Sequence, residues 1–137
     1  MNLKNVVIAG VAAEVVNFVF IMLTCGWLFN WVYFIKPTNV WKPWAVEGLI
    51  LMIAGGLVLN ILLAYVYALF YRGIPGKGVK KGLWYGFGVW LVGTLPGMFS
   101  AYTLMTVAPF VVLYWTVRGF VGNLLLGAVI ATVYKER

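Results

Sequence analysis

Four long apolar runs constrain this chain more than any other feature. A membrane-crossing helix takes about 20 mostly apolar residues. The runs 6–28, 47–71, 83–105 and 107–134 all qualify, and together they occupy most of the 137 residues. Composition agrees: 64% of residues are hydrophobic and 9% are charged, where a soluble domain carries about 25% charge. The pattern predicts an all-α membrane protein, one four-helix transmembrane domain over 1–137. The first run extends through Phe29–Ile35, longer than the hydrocarbon needs, so a tilted helix or an interfacial end is expected. Pro43 suits the first turn of the second helix, because its missing N–H would be orphaned there anyway. Lys4 is a thin leader-like n-region without an A-x-A site after it, and Thr24 before Cys25 is wrong for a lipoprotein box. The first run is therefore read as an uncleaved anchor.

Lys and Arg set the orientation. Lys4, then Arg72, Lys77, Lys80 and Lys81, then Lys135 and Arg137 fall on one side of a four-span chain. The other side has only Lys36 and Lys42. Both termini are predicted to be cytoplasmic, in the cell inner membrane. Trp27, Trp31, Trp41 and Trp44 would form an outer aromatic belt, and Tyr67, Tyr71, Trp84, Tyr85 and Tyr134 an inner one. The net charge of +7 is then a topology signal facing membrane lipid, with no nucleic acid implied. The basic turn Arg72–Lys81 fails as a phosphate loop, since Tyr71 and Gly78 stand where such a loop needs Gly and Ser or Thr. It suits anionic lipid heads.

The second and fourth runs align. Gly56–Arg72 laid on Gly119–Lys135 gives eight identities in seventeen positions, among them Gly56 on Gly119, Asn60 on Asn123 and Tyr71 on Tyr134. The first and third runs align more weakly, Gly10 on Gly86 and Glu14 on Trp90. Two tandem helical hairpins follow, parallel repeats about an axis along the membrane normal.

Polar residues gather at one depth. At 1.5 Å per residue from the nearest cytoplasmic cation, Asn17, Asn60, Thr94 and Asn123 lie roughly 18–20 Å in, with Glu14 a little lower and Arg118 at about 25 Å. Polar groups there need partners, so the layer is a candidate binding site comprising Glu14, Asn17, Asn60, Thr94, Arg118 and Asn123. Glu14 and Asn17, three apart, share a face. Thr116, Gly119, Asn123 and Gly127 form a small, polar stripe, and Arg118 stands about 200° around the helix from Thr116. Glu14–Arg118 is the expected ion pair, with Arg118 facing a different neighbour or another protomer as the alternative. Gly82-x-x-x-Gly86 and Gly93-x-x-x-Gly97 should mark close helix contacts. Pro96 should bend the third helix beside the layer.

Much chemistry lacks its parts. There is no His and no Asp, the one Cys is Cys25, and the acids are Glu14, Glu47 and Glu136. Triads, paired carboxylates and metal clusters are excluded by residue type, so no enzyme and no cofactor are expected.

From Ala64-x-x-Tyr67-Ala68, through Pro75-Gly76-Lys77-Gly78, Gly82, Trp90 and Pro96, to Gly127 and Tyr134, the chain resembles small four-helix bacterial integral membrane proteins of unassigned function. That resemblance implies fold and location only. Ala13-Glu14-Val15 is similar to the small multidrug resistance exporters, in which a lone membrane Glu binds protons and cationic substrates alternately within an antiparallel dimer. Only Glu14 carries over. The Lys/Arg bias opposes dual topology, and Arg118 would repel a cation.

Two functions follow. The first is a non-catalytic scaffold or accessory subunit, a homo-oligomer or part of a larger membrane complex. The alternative is a small-solute or ion transporter using the Glu14, Arg118 and Asn site.

Overall fold

The computed structural model describes residues 1–136. It is 78% helical, with no strand among the described residues. Four helices are long and apolar enough to cross a membrane: α1 (Leu3–Leu28), α2 (Val46–Leu69), α3 (Val79–Leu104) and α4 (Pro109–Val133). At 1.5 Å per residue these lengths give roughly 36–39 Å, more than the hydrocarbon core requires.

The ends differ instructively from the sequence expectation. α1 does not run on to Ile35. Its last turn, Thr24–Leu28, widens to a π-turn, and the Thr24 hydroxyl donates back to the Phe20 carbonyl at 2.6 Å. A short 3₁₀ segment, Asn30–Phe34, follows, giving the interfacial end that the excess length called for. Pro43 lies outside α2, which starts at Val46 behind an extended Ala45. Glu47 in that first turn complements the positive end of the helix. α3 begins at Val79, four residues early, and takes Lys80 and Lys81 into its first turn. Lys81 is buried there, with Nζ 3.7 Å from the centre of the Tyr71 ring. A cation–π contact thus lets the helix extend through residues whose charge argued for a loop.

α1 packs on α2 and on α4, and α3 packs on α4. Lipid tails are as apolar as Leu, so burial cannot choose the contacting faces; close backbone approach can. A Cβ on Gly10 would fall 2.5 Å from the Ile61 Cα. Between α3 and α4 the fit is reciprocal. A Cβ on Gly82 would strike the Gly127 carbonyl, a Cβ on Gly127 would strike the Gly82 carbonyl, and one on Gly86 would strike the Asn123 carbonyl. The Gly82–Gly86 motif is therefore a seam. Gly93 and Gly97 are not: nothing lies within 4 Å of either Cβ position. The cause is a π-turn at Trp90–Thr94. In a regular helix Gly93 would stand about 20° from Gly86 in projection. The extra residue of a π-turn shifts the phase by about 100° and brings Thr94 onto the seam instead. The turn lies immediately before Pro96, whose missing N–H a regular helix would have left as a broken bond.

The two ends of the bundle are tied differently. At one end the Asn5 amide donates to the Lys135 carbonyl at 3.1 Å, and Arg72 meets Glu136 at 3.6 Å. The amino-terminal residues, the α2–α3 turn and the carboxyl-terminal residues thus share an end. Tyr67, Tyr85 and Tyr134, expected in an interfacial belt, are buried there instead. Their rings meet Tyr67 edge-on at 5.1 Å and 5.9 Å, and the Tyr85 hydroxyl donates to the Leu63 carbonyl at 2.6 Å, joining α3 to α2. At the opposite end Tyr33 organises the cap. It accepts from Trp115 at 2.9 Å and donates to the Cys25 sulfur at 3.3 Å. Its carbonyl accepts from Trp41 at 3.0 Å, which ties Trp41 to the cap. Burial pushes the Tyr33 phenol up, so it stays a neutral donor.

Gly82→Leu should force α3 and α4 apart and destabilise the bundle by about 1–3 kcal/mol or more, whereas Gly88→Ala, with open space around it, should be near neutral. Thermal unfolding of both variants in the same detergent checks this; equal midpoints would remove the glycine seam as the organising contact.

Candidate functional site

The polar layer resolves into two parts. In the first, the Asn60 amide donates to Glu14 Oε2 at 2.7 Å and to the Gly56 carbonyl, one turn back, at 2.9 Å. Both side chains are buried. Gly56 makes room for the carboxylate, since a Cβ there would fall 2.5 Å from Glu14 Oε1. The second part follows the same plan. The Asn123 amide donates to Thr94 Oγ1 at 3.0 Å and to the Gly119 carbonyl at 2.8 Å. A Cβ on Gly119 would fall 2.7 Å from Thr94 Cγ2. In each case an Asn reaches across to the preceding helix while its second N–H serves the carbonyl of a Gly four residues back. Thr94 stands one turn beyond Trp90, the residue aligned with Glu14; the Trp90 indole donates instead to the Thr116 carbonyl at 3.0 Å. The Thr116–Gly119–Asn123–Gly127 stripe thus faces α3 along its length.

The expected Glu14–Arg118 ion pair is not formed. Arg72–Glu136 is the single ion pair within 4.0 Å among the described residues. Glu14 turns toward α2 and is taken by Asn60. Arg118 lies on the side of α1 that carries Phe20, its Cζ 5.7 Å from the ring centre. Six residues separate Glu14 from Phe20, which puts them about 120° apart around α1. Asn17, only three residues from Glu14, is still about 60° away, enough to part the two. The buried Nε of Arg118 has no hydrogen-bond partner among the described residues.

Asn17, Thr94, Arg118 and Asn123 instead line one cavity of about 290 Å³ between α1, α3 and α4. Four of the six candidate residues are therefore gathered, and Glu14 and Asn60 form a separate, closed pair. Phe20, Met98, Trp115, Gly119, Gly122 and Leu126 complete the walls. Trp115 and Gly122 were within reach of sequence reasoning, being three before and four after Arg118 and so on its face. Phe20 and Met98 carry no such signal.

The chemistry available in the cavity is a guanidinium, two amides and a hydroxyl among apolar walls. It can hold a polar or charged guest. No three His, Cys, Asp or Glu side chains converge among the described residues. Comparison with family models, curated proteins and solved structures gave no match.

Double-mutant cycles separate the two parts of the layer. Asn60→Ala strands a buried carboxylate and should cost about 1.5–3 kcal/mol. Glu14 and Asn60 should then show a coupling of about 0.5–3 kcal/mol, while Glu14 and Arg118 add within about 0.5 kcal/mol. A larger Glu14–Arg118 coupling, read from unfolding in detergent, would restore the ion pair.

Proposed function

We propose that this is a non-catalytic multi-pass protein of the cell inner membrane, a small scaffold or accessory subunit that self-associates or joins a larger complex. One observation carries the reading. Gly93 and Gly97 are exposed on α3 with nothing within 4 Å, although Gly at that spacing is suited to close helix approach. Lipid gains nothing from a glycine pair, and a helix from another chain gains backbone contact. Glu14, the one acid away from the end of a crossing helix among the described residues, is engaged by Asn60, which suits a structural role better than a catalytic one.

The proposal has both termini in the cytoplasm, a reading supported by the gathering of Arg72, Lys135 and the amino-terminal segment at one end and by the positive-inside tendency. The matching Gly56–Asn60 and Gly119–Asn123 arrangements support two tandem hairpins, α1–α2 and α3–α4, as an internal repeat. A second reading, small-solute or ion transport, draws on the cavity beside Arg118.

Native mass spectrometry of the gently extracted protein is the test. The expected result is an oligomer or a complex that Gly93→Leu and Gly97→Leu together reduce to the single chain, without loss of its folding midpoint. A single chain from the unaltered protein would overturn the scaffold reading, and solute flux abolished by Arg118→Gln in proteoliposomes would establish the second. In a Cys25→Ser background, cysteines placed at Lys77 and Lys135 should react with an impermeant thiol reagent from the same face. Labelling from opposite faces would overturn the four-span topology.

A further inference from the structure

Arg118 is a cation within an apolar span, and none of the described residues offers it an anion. A guanidinium holds its charge in proteins, and a charge at this depth is costly without a partner. The three acids are placed elsewhere. Glu14 is bound by Asn60, Glu47 stands in the first turn of α2, and Glu136 meets Arg72 at the cytoplasmic end of the proposed topology. What Arg118 does have is the Phe20 ring, a buried Nε with no partner, and a cavity of about 290 Å³ shared with the Asn17 amide.

We propose that this cavity binds an organic carboxylate carrying a single negative charge. The inference concerns binding alone and stands whether the protein scaffolds or transports. A carboxylate fits the guanidinium fork through paired charge-assisted hydrogen bonds. Arg118 is the one charged residue in the lining, so a dianion such as a phosphate monoester would leave an uncompensated charge in a low dielectric. Phe20, Met98, Trp115 and Leu126 supply apolar walls, which suit a hydrocarbon or aromatic body in place of a bare inorganic ion. Trp115 is fixed by its hydrogen bond to Tyr33 and by edge-on contact with Trp41 at 5.8 Å, which holds one wall of the cavity in place. α1 and α3 each pack on α4 and both line the cavity, so the proposal includes a lateral route between them for a carboxylate borne by the membrane.

The test uses the full chain in phosphatidylcholine nanodiscs and reads tryptophan quenching. The probes are laurate brominated beside its carboxylate, the matching brominated alcohol, and brominated benzoate as a carboxylate supplied from water. Trp115→Phe isolates the share of quenching that comes from the cavity. Saturable quenching by the laurate is expected, weakened at least roughly tenfold in Arg118→Gln and less in Arg118→Lys. Asn17→Leu narrows the cavity without touching the charge and should also weaken binding, so the proposal stays testable if Arg118→Gln does not fold. Equal quenching by acid and alcohol, or an Asn17→Leu or Arg118→Gln response matching the unaltered protein, would overturn the site. Saturation by benzoate alone would overturn the lateral route, and displacement of laurate more strongly by dodecyl phosphate than by unlabelled laurate would overturn the single-charge preference.

Discussion

At Gly82 and Gly127 two helices touch backbone to backbone, each carbonyl occupying the place where the other residue's Cβ would stand. Much else depends on that approach. It brings α3 close enough to α4 for Asn123 to reach Thr94 and for Trp90 to reach the Thr116 carbonyl. It leaves α1 to complete α4 from another side and so frames the cavity beside Arg118. Gly10 does the same work between α1 and α2, against Ile61. In water such a seam would be helped by apolar burial. In lipid that help is missing, and dispersion across close surfaces has to select the partners.

The polar contacts act on this frame more as register pins than as a source of stability. Interhelical hydrogen bonds in membrane proteins average about 0.6 kcal/mol, because polar groups in a separated helix also find partners. Leaving the Glu14 carboxylate without Asn60 is a different matter, since the buried charge then has no substitute. Each pairing therefore favours one rotation and one height of its helices, at small gain when made and larger loss when broken. Using the Gly carbonyl four residues back as a second acceptor also holds each Asn amide in a single orientation.

The sequence made the spans legible, because hydrophobic length is a direct physical requirement of the bilayer. The shared end of the basic segments was legible for the same kind of reason, since an even number of crossings returns the chain to its starting side. Proximity was legible in part: of the six residues expected in one layer, Asn17, Thr94, Arg118 and Asn123 line one cavity. Azimuth was harder. Glu14 and Arg118 were matched by height alone, and nothing in the residues revealed that Glu14 turns toward α2 while Arg118 turns toward Phe20. The Gly93–Gly97 motif failed as an internal contact because a π-turn has no clear signature beyond a nearby Pro96. The tyrosines were placed at the interface by residue type, whereas Tyr67, Tyr85 and Tyr134 found one another in the interior. Edge-on ring packing among residues far apart in sequence has no local signal.

The π-turn at Trp90–Thr94 makes α3 a helix of two phases. Its first half, up to Val89, addresses α4 through Gly82 and Gly86, and its second half addresses α4 through Thr94 while presenting Gly93 and Gly97 outward. Deleting one residue within the turn would rotate the second half by about 100° and exchange those two faces. The glycines would then face inward against α4, and Thr94 would face the bilayer. A single-residue deletion is thus enough to change what the second half of this helix offers to its surroundings.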